Sequence, residues 1–276
     1  MHRRGARVRV VDERHDPDQQ VVAAALESMG IVVELGPAAV GSEALADADL
    51  VVTSPGWRPD HPLLRAAQDR SVPVWGEVEL AWREQDPPGR RWLAVTGTNG
   101  KTTTTEMLAA MIDAAGIPGT AAGNIGLPLV DAACGADGPE YDVLAVELSS
   151  FQLHWSASLR PFAGALLNLA DDHLDWHGSF AHYAAAKAKV WGVDATTVAV
   201  YNADDPRVVR LLDGRPGVGF TLGEPSTGQL GVRHGVLVDR AFGYGKLLPV
   251  ERLQVSGQHN VANALAASAL AIAGGV

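Results

Sequence analysis

Apolar and polar positions alternate in short blocks along this chain, and the blocks change period as they go. Residues 7–11 form an apolar-rich run ending at Asp12 and predict a strand. Residues 18–29 carry apolar positions at helical spacing and stop at Gly30, a residue that takes the left-handed conformation of a helix end at little cost. Residues 31–35 and 50–53 predict two further strands, the second running into Ser54-Pro55-Gly56. Pro62 opens a helix over 63–69, and 72–75 predict another short strand. The stretch 83–91, containing Gln85-Asp86-Pro87-Pro88-Gly89-Arg90, is polar and proline-rich, and it marks the expected domain boundary.

Beyond that boundary, residues 92–95 predict a buried strand and 104–115 a helix. Strands are predicted at 143–148, 165–169 and 197–201, and an alanine-rich helix at 179–191. Residues 228–250 mix many glycines with alternating Val and Leu and predict β-hairpins. A small-residue helix over 258–273 ends at Gly274-Gly275. Strands alternating with helices indicate an α/β fold with parallel sheets.

Between the strand at 92–95 and the helix at 104–115 lies Thr96-Gly97-Thr98-Asn99-Gly100-Lys101-Thr102-Thr103. Strand, glycine-bearing turn, Lys-Thr and helix is an arrangement that cradles a nucleotide phosphate. The glycines let the backbone approach the phosphate oxygens, and the helix N-terminus supplies N–H groups and a partial positive charge. Lys101 would reach the terminal phosphates and the Thr102 hydroxyl would hold Mg²⁺. Val95 stands where the first glycine of the general P-loop pattern would be, so the match is incomplete.

Composition narrows the setting. A chain of 276 residues has room for two domains with their own cores, and 47% hydrophobic with 20% charged residues excludes wholesale disorder. The net charge of -10 argues against a nucleic-acid-binding surface. The lone Cys134 excludes an internal disulfide and fits a reducing compartment. No apolar run approaches the ~20 residues that span a bilayer, and Met1-His2-Arg3-Arg4-Gly5 leads into no cleavable apolar core. A cytoplasmic protein is expected.

Four later segments sit at predicted element ends, where open α/β sheets place their chemistry. In Glu147-Leu148-Ser149-Ser150-Phe151-Gln152-Leu153, a carboxylate leaving an apolar strand is either a Mg²⁺ ligand or a solvated acid. In Asn168 to Gly178, three acids and two histidines crowd a strand end, as a metal-holding loop or a solvated acidic turn; no zinc-type spacing is present. Lys187 lies among small residues between Tyr183 and Trp191, a surface lysine if read alone. Asn260 and Asn263 are three apart on one helix face and could read an adenine edge or cap the helix.

Together with Gly123-Asn124-Ile125-Gly126 and Asn202-Ala203-Asp204-Asp205, these segments resemble the ATP-dependent Mur ligases in order and spacing over residues 91–276. The Glu-Leu-Ser-Ser-Phe-Gln-Leu and Gly-Asn-Ile-Gly runs resemble the branch that adds D-glutamate to UDP-N-acetylmuramoyl-L-alanine. The resemblance implies an N-terminal Rossmann-like parallel-sheet domain over 1–88, followed by a P-loop ATPase-like central α/β domain over 89–276. It also implies ATP, Mg²⁺ and an acyl-phosphate intermediate attacked by the D-glutamate amine. Thr102 and Glu147 would attend one Mg²⁺, and His173 and Lys187 a second, with Lys187 carbamylated by CO₂. Asn124 would contact the transferring phosphoryl group or the substrate, Ser149 the substrate, and Asn260 and Asn263 the adenine side. Gly97 to Thr103 would hold the phosphates. Asp12-Glu13-Arg14 and Ser54-Pro55-Gly56 match the expected uridine and diphosphate positions.

The family pattern adds a strand and a glycine-rich turn before Met1 and an amino-acid-binding α/β domain after Val276. The expectation is therefore a truncated, monomeric chain that does not complete catalysis alone. The alternatives are a Mur or folylpolyglutamate-type ligase of other amino-acid specificity, and a nucleotide-binding relative without catalysis.

Overall fold

In the N-terminal segment, β1 (Arg9–Asp12) pairs in parallel with β2 (Val32–Leu35) through the crossover helix α1 (Pro17–Ser28). The Asp16 side chain accepts from the N–H groups of Asp18 and Gln19, and Pro17 opens the helix, so α1 has both a cap and a preset first turn. Strand β3 (Val51–Thr53) follows, its Val51 N–H donating to the Pro73 carbonyl, and helix α2 (Pro62–Asp69) packs Leu63 and Ala67 against Val40 and Leu45.

The computed structural model describes residues 1–135 and 140–276, and the chain divides into the units Met1–Val74 and Trp75–Val276. The division falls earlier than the proline-rich stretch that the sequence singles out. The reason lies in the residues after β4 (Val74–Gly76). Helix α3 (Glu77–Glu84) is fastened to the second unit by its two glutamates. Glu77 accepts from the N–H groups of Leu129 (2.9 Å) and Val130 (3.4 Å). The fully buried Glu79 accepts from Ala157 N (2.8 Å), Ser158 N (2.9 Å), Ser158 Oγ (2.6 Å) and Arg83 Nε (2.6 Å). Burial pulls the Glu79 carboxyl upward, but these donors outweigh it and hold the group below its ordinary value.

In chain order the second unit continues with β5 (Arg91–Thr96), α4 (Lys101–Ala114), β6 (Gly119–Gly123), α5 (Leu129–Cys134), β7 (Val143–Glu147) and α6 (Ser150–His154). Next come β8 (Ala163–Leu166), α7 (Leu174–His177), α8 (Phe180–Ala188), β9 (Val198–Asn202), α9 (Pro206–Leu212) and β10 (Gly217–Phe220). The unit ends with β11 (Gln229–Arg233), β12 (Val236–Asp239), β13 (Gly245–Pro249) and α10 (Gln258–Ala273). Among the described residues the strands form one sheet in the order β13-β12-β11-β10-β9-β8-β5-β7-β6. The pairs from β6 to β11 are parallel, and β11, β12 and β13 are antiparallel, as the hairpin reading of 228–250 anticipates.

Strand β5 shows how the sheet is held. Trp92 and Ala94 point into one apolar layer, while Leu93 and Val95 point into the other, which α4 and α10 cover. A strand buried on both faces needs an unbroken apolar run, and that is what residues 92–95 supply. Its C-terminal end, between β7 and β8, is where the phosphate-loop sequence emerges.

Several elements, α3, α5, α6, α7, α9 and β10 among them, are not predicted from the sequence, and two further departures have a clear physical reason. Strand β6, Gly-Thr-Ala-Ala-Gly, has Thr120 as its one strand former among glycines and alanines. A side chain at Gly119 would lie 2.7 Å from the Val143 carbonyl oxygen, so close backbone approach to β7 selects the glycine. Strand β8 ends at Leu166 rather than 169; beyond it Leu167 N–H donates to Thr96 O and Thr98 N–H to Asn168 O, so the segment runs on beside the phosphate loop.

Candidate functional site

The phosphate loop is pinned at both ends. Gly97 sits where a Cβ would meet the Leu167 side chain at 2.9 Å, and Gly100, with φ of 85°, would drive one into Asn263 Oδ1 at 2.5 Å. Both positions therefore require glycine, by close approach and, at Gly100, by its left-handed backbone. Gly100 is also the N-cap of α4, with no side-chain cap, which leaves the helix N-terminus to a ligand.

Two lysines converge on one carbonyl. Lys101 Nζ donates to Gly97 O and Thr98 O, both at 3.1 Å, and Lys187 Nζ donates to the same Gly97 O at 2.8 Å and to Thr96 Oγ1 at 3.4 Å. Lys187 is buried, contrary to the surface reading of its sequence context, and its ammonium lies 4.9 Å from the Tyr183 ring centre. Burial first, and the Lys101 charge second, push its pKa down to about 7.

Glu147 ends β7 in register with Val95, beside the loop. It is 1% exposed, which removes the solvated-acid alternative. Asn124 Nδ2 donates to its Oε1 at 2.8 Å, and the buried Oε2 has no hydrogen-bond donor among the described residues. A buried carboxylate oxygen without a donor is costly, and a cation is the natural partner. The backbone sets this pair up: Asn124 N donates to Glu147 O at 2.9 Å, and a Cβ on Gly123 would lie 2.4 Å from that oxygen. Ser149 is occupied locally, its hydroxyl accepting from Gln152 N in a capping box at the start of α6. Thr102 is exposed on the first turn of α4.

His173 takes a left-handed conformation at the N-cap of α7. Its half-exposed ring lies 3.5 Å from Asp172 Oδ2 and packs against Phe151. Among the described residues no three His, Cys, Asp or Glu side chains converge as a metal cluster. The second histidine of the segment is structural. His177 Nε2 meets Ser150 Oγ at 3.0 Å amid Phe151 and Trp176, and burial pushes its pKa down to about 4.

On the other side of the loop, Asn263 is buried and donates to Asn260 Oδ1 (3.3 Å), while Asn260 Nδ2 donates to Ser256 O (2.8 Å). Gly257 is the N-cap of α10, so neither asparagine caps it. Asn99, Gly100, Asn263, Asn202, Phe220 and His259 line a cleft of about 300 Å³. Asn202 and His259 fall in segments that carry the family resemblance but have no role assigned there, and Phe220 is not singled out by the sequence. The remaining signal is position, since Asn202 and Phe220 are the final residues of neighbouring parallel strands.

In the first unit, Asp12 accepts from Arg14 N (2.9 Å) and pairs with its guanidinium (3.3 Å). Glu13 approaches His61 Nε2 at 4.0 Å, and Trp57, whose backbone N–H donates to Ser54 O, lies tilted against the His61 ring with ring centres 4.3 Å apart. The segments 12–14 and 54–57 thus meet through His61, with Pro55 and Gly56 in the intervening turn.

A parallel sheet with a lysine-bearing glycine loop at a central strand, and a buried carboxylate with one unpartnered oxygen on the adjacent strand, is an ATPase-like class of α/β fold. The profile of the Mur ligase middle domain matches residues 95–271, and that of the Mur ligase MurD-like N-terminal domain matches residues 1–76. The chain belongs to the Mur ligase family. It is 50% identical to a Streptomyces avermitilis UDP-N-acetylmuramoylalanine--D-glutamate ligase over 100% of this chain and 60% of that protein. The protein of the same name from Frankia casuarinae is 54% identical over 99% of this chain and 57% of its own length. The chain thus spans about 60% of the length of these curated relatives. Among solved structures, UDP-N-acetylmuramate:L-alanyl-gamma-D-glutamyl-meso-diaminopimelate ligase from Neisseria meningitides shares the fold, with a TM-score of 0.60 and 22% identity over 99% of this chain and 88% of that one. No helix among the described residues is long and apolar enough to cross a membrane.

Proposed function

We propose that this chain carries the nucleotide and UDP-substrate sites of an ATP-dependent ligase that joins D-glutamate to UDP-N-acetylmuramoyl-L-alanine. The observation that carries the reading is the convergence of Lys101 and Lys187 on Gly97 O, beside the unpaired Glu147 carboxylate oxygen. Two ammonium groups sharing one neutral acceptor repel each other, and an anion at the α4 N-terminus relieves that repulsion. The names of the relatives support the choice of substrates.

In this reading the substrate carboxylate takes the γ-phosphoryl group of ATP, releasing ADP, and the D-glutamate amine then displaces phosphate. Lys101 and the loop amides bind and orient the phosphates, and Asn124 is fixed by Glu147 where it can donate to the transferring group. Thr102 and Glu147 would hold one Mg²⁺, and His173 with Lys187 a second; bound Mg²⁺ neutralises phosphate charge. Asn263, which lines the cleft, and its neighbour Asn260 would serve the nucleobase, and Asp12, Glu13, Arg14, Ser54, Pro55 and Gly56 the UDP group. The reading also places the protein in the cytoplasm, as a monomer without nucleic-acid partners. Calorimetric titration of a non-hydrolysable ATP analogue should show saturable binding that disappears when Mg²⁺ is chelated. A folded chain that takes up no nucleotide would sink the reading.

An ammonium cannot ligate Mg²⁺, so the same reading requires Lys187 as a carbamate, formed when CO₂ adds to the neutral amine and a proton leaves. At a pKa of about 7 the amine is half neutral near pH 7, against roughly one part in a thousand or less for an ordinary lysine. With ¹³C-bicarbonate, a carbamate resonance is expected that grows from pH 6 to 8 and is missing in Lys187→Arg. A wild-type spectrum without it removes the carbamate from the reading.

A further inference from the structure

The apex of the phosphate loop is shaped by a residue outside it. Asn168, just beyond β8, presents both ends of its side-chain amide to the backbone of Asn99. Asn99 N–H donates to Asn168 Oδ1 at 2.8 Å, and Asn168 Nδ2 donates to the Asn99 carbonyl at 3.0 Å. The same segment holds the neighbouring residue, since Thr98 N–H donates to the Asn168 carbonyl at 3.1 Å and Ala170 N–H donates to Thr98 Oγ1 at 2.9 Å. The side chain thus imitates a strand partner for one residue, at the point where β8 has ended and the loop has left β5.

We propose that Asn168 is a positioning residue that keeps the phosphate loop in its binding shape before any nucleotide arrives. The loop needs an outside support. Its first glycine position is filled by Val95, and its apex residue is Asn99, a type that adopts several turn conformations. Only a carboxamide offers a separate donor and acceptor atom side by side, and asparagine is the shorter of the two, so the clamp selects asparagine. A preformed loop spares the ordering cost that binding would otherwise carry. Asn168 acts through Asn99 and Thr98, and its consequence for the ligand rests on the nucleotide reading above.

Asn168→Ala and the near-isosteric Asn168→Leu test this in the free chain by hydrogen exchange and in the bound chain by calorimetry. Exchange over residues 97–101 is expected to rise at least tenfold, and affinity for the Mg²⁺ complex of a non-hydrolysable ATP analogue to fall by about tenfold. Thr197→Val, which removes a hydroxyl bonded to Pro161 O, reports what general destabilisation alone does to the same peptides. Unchanged exchange over 97–101 in both Asn168 variants, or a rise that Thr197→Val matches at equal loss of stability, overturns the proposal. Faster exchange in a chain whose wild type binds no nucleotide leaves the positioning role standing and defeats the nucleotide reading instead.

Discussion

Lys101→Ala is expected to weaken binding of the Mg²⁺-bound nucleotide analogue by more than ~100-fold, with little change in melting temperature. The lysine is the loop's own cation, and in the free chain its ammonium is spent on two backbone carbonyls, Gly97 and Thr98. Charge-assisted bonds to phosphate contribute roughly 1.5–3 kcal/mol each, so losing one or two of them accounts for the effect. Stability should hardly move, because Lys101 is only partly buried and its carbonyl acceptors can turn to water. The same substitution has a second consequence. With the Lys101 charge gone, Lys187 loses one of the two causes that depress its pKa, and its amine should titrate higher. Calorimetry on wild type and variant decides the first point, and equal affinities would mean that the loop does not hold phosphate.

Glu79→Ala is the largest expected effect on stability. The carboxylate is fully buried and serves four donors at once, three of them from residues 157–158 and one from Arg83. Removing it leaves two backbone N–H groups and a hydroxyl to be satisfied by whatever water can enter, and it strips Arg83 of its partner. Breaking such a buried cluster costs about 3–5 kcal/mol, and in a chain of this size the melting temperature should drop by roughly 6–15 °C. Glu79→Gln, which keeps an acceptor oxygen, should lose less. A fall of only a degree or two in Glu79→Ala would show that α3 is not fastened to the second unit as its hydrogen bonds indicate. Arg83 alone is a weaker lever, since its side chain is 40% exposed and water screens the pair.

Much of the candidate site was legible because the residues that make it up are local. Gly97, Gly100, Lys101 and Thr102 are consecutive or nearly so, and a strand–loop–helix phosphate site is built from one short segment. Residues whose meaning depends on distant neighbours were read less well. Glu147 was left between ligand and solvated acid until β7 placed it beside β5, with Oε2 buried and unpaired. Lys187 looked like a surface lysine until α8 brought its ammonium to Gly97 O, ninety positions away in the chain. Asn168 stood in view at the end of an apolar run, yet nothing local indicates that its amide clamps Asn99.

The fold divides the same way. The sequence by itself determined the alternation of strands and helices, the helix over 18–29 with its stop at Gly30, the buried character of β5 and the place of the glycine-bearing loop before α4. Each depends on the period of apolar side chains or on one residue's backbone preference, and both act within a few positions. Only the tertiary structure decided that β6, poor in strand formers, is a strand, since its partner is β7 and its glycines answer that close approach. It also decided that α3, although it precedes the proline-rich stretch, groups with the second unit rather than the first, because Glu77 and Glu79 find their donors fifty to eighty residues away. Hydrogen bonds over such separations leave no periodicity in the chain, so they become visible only when the folded backbone brings donor and acceptor together.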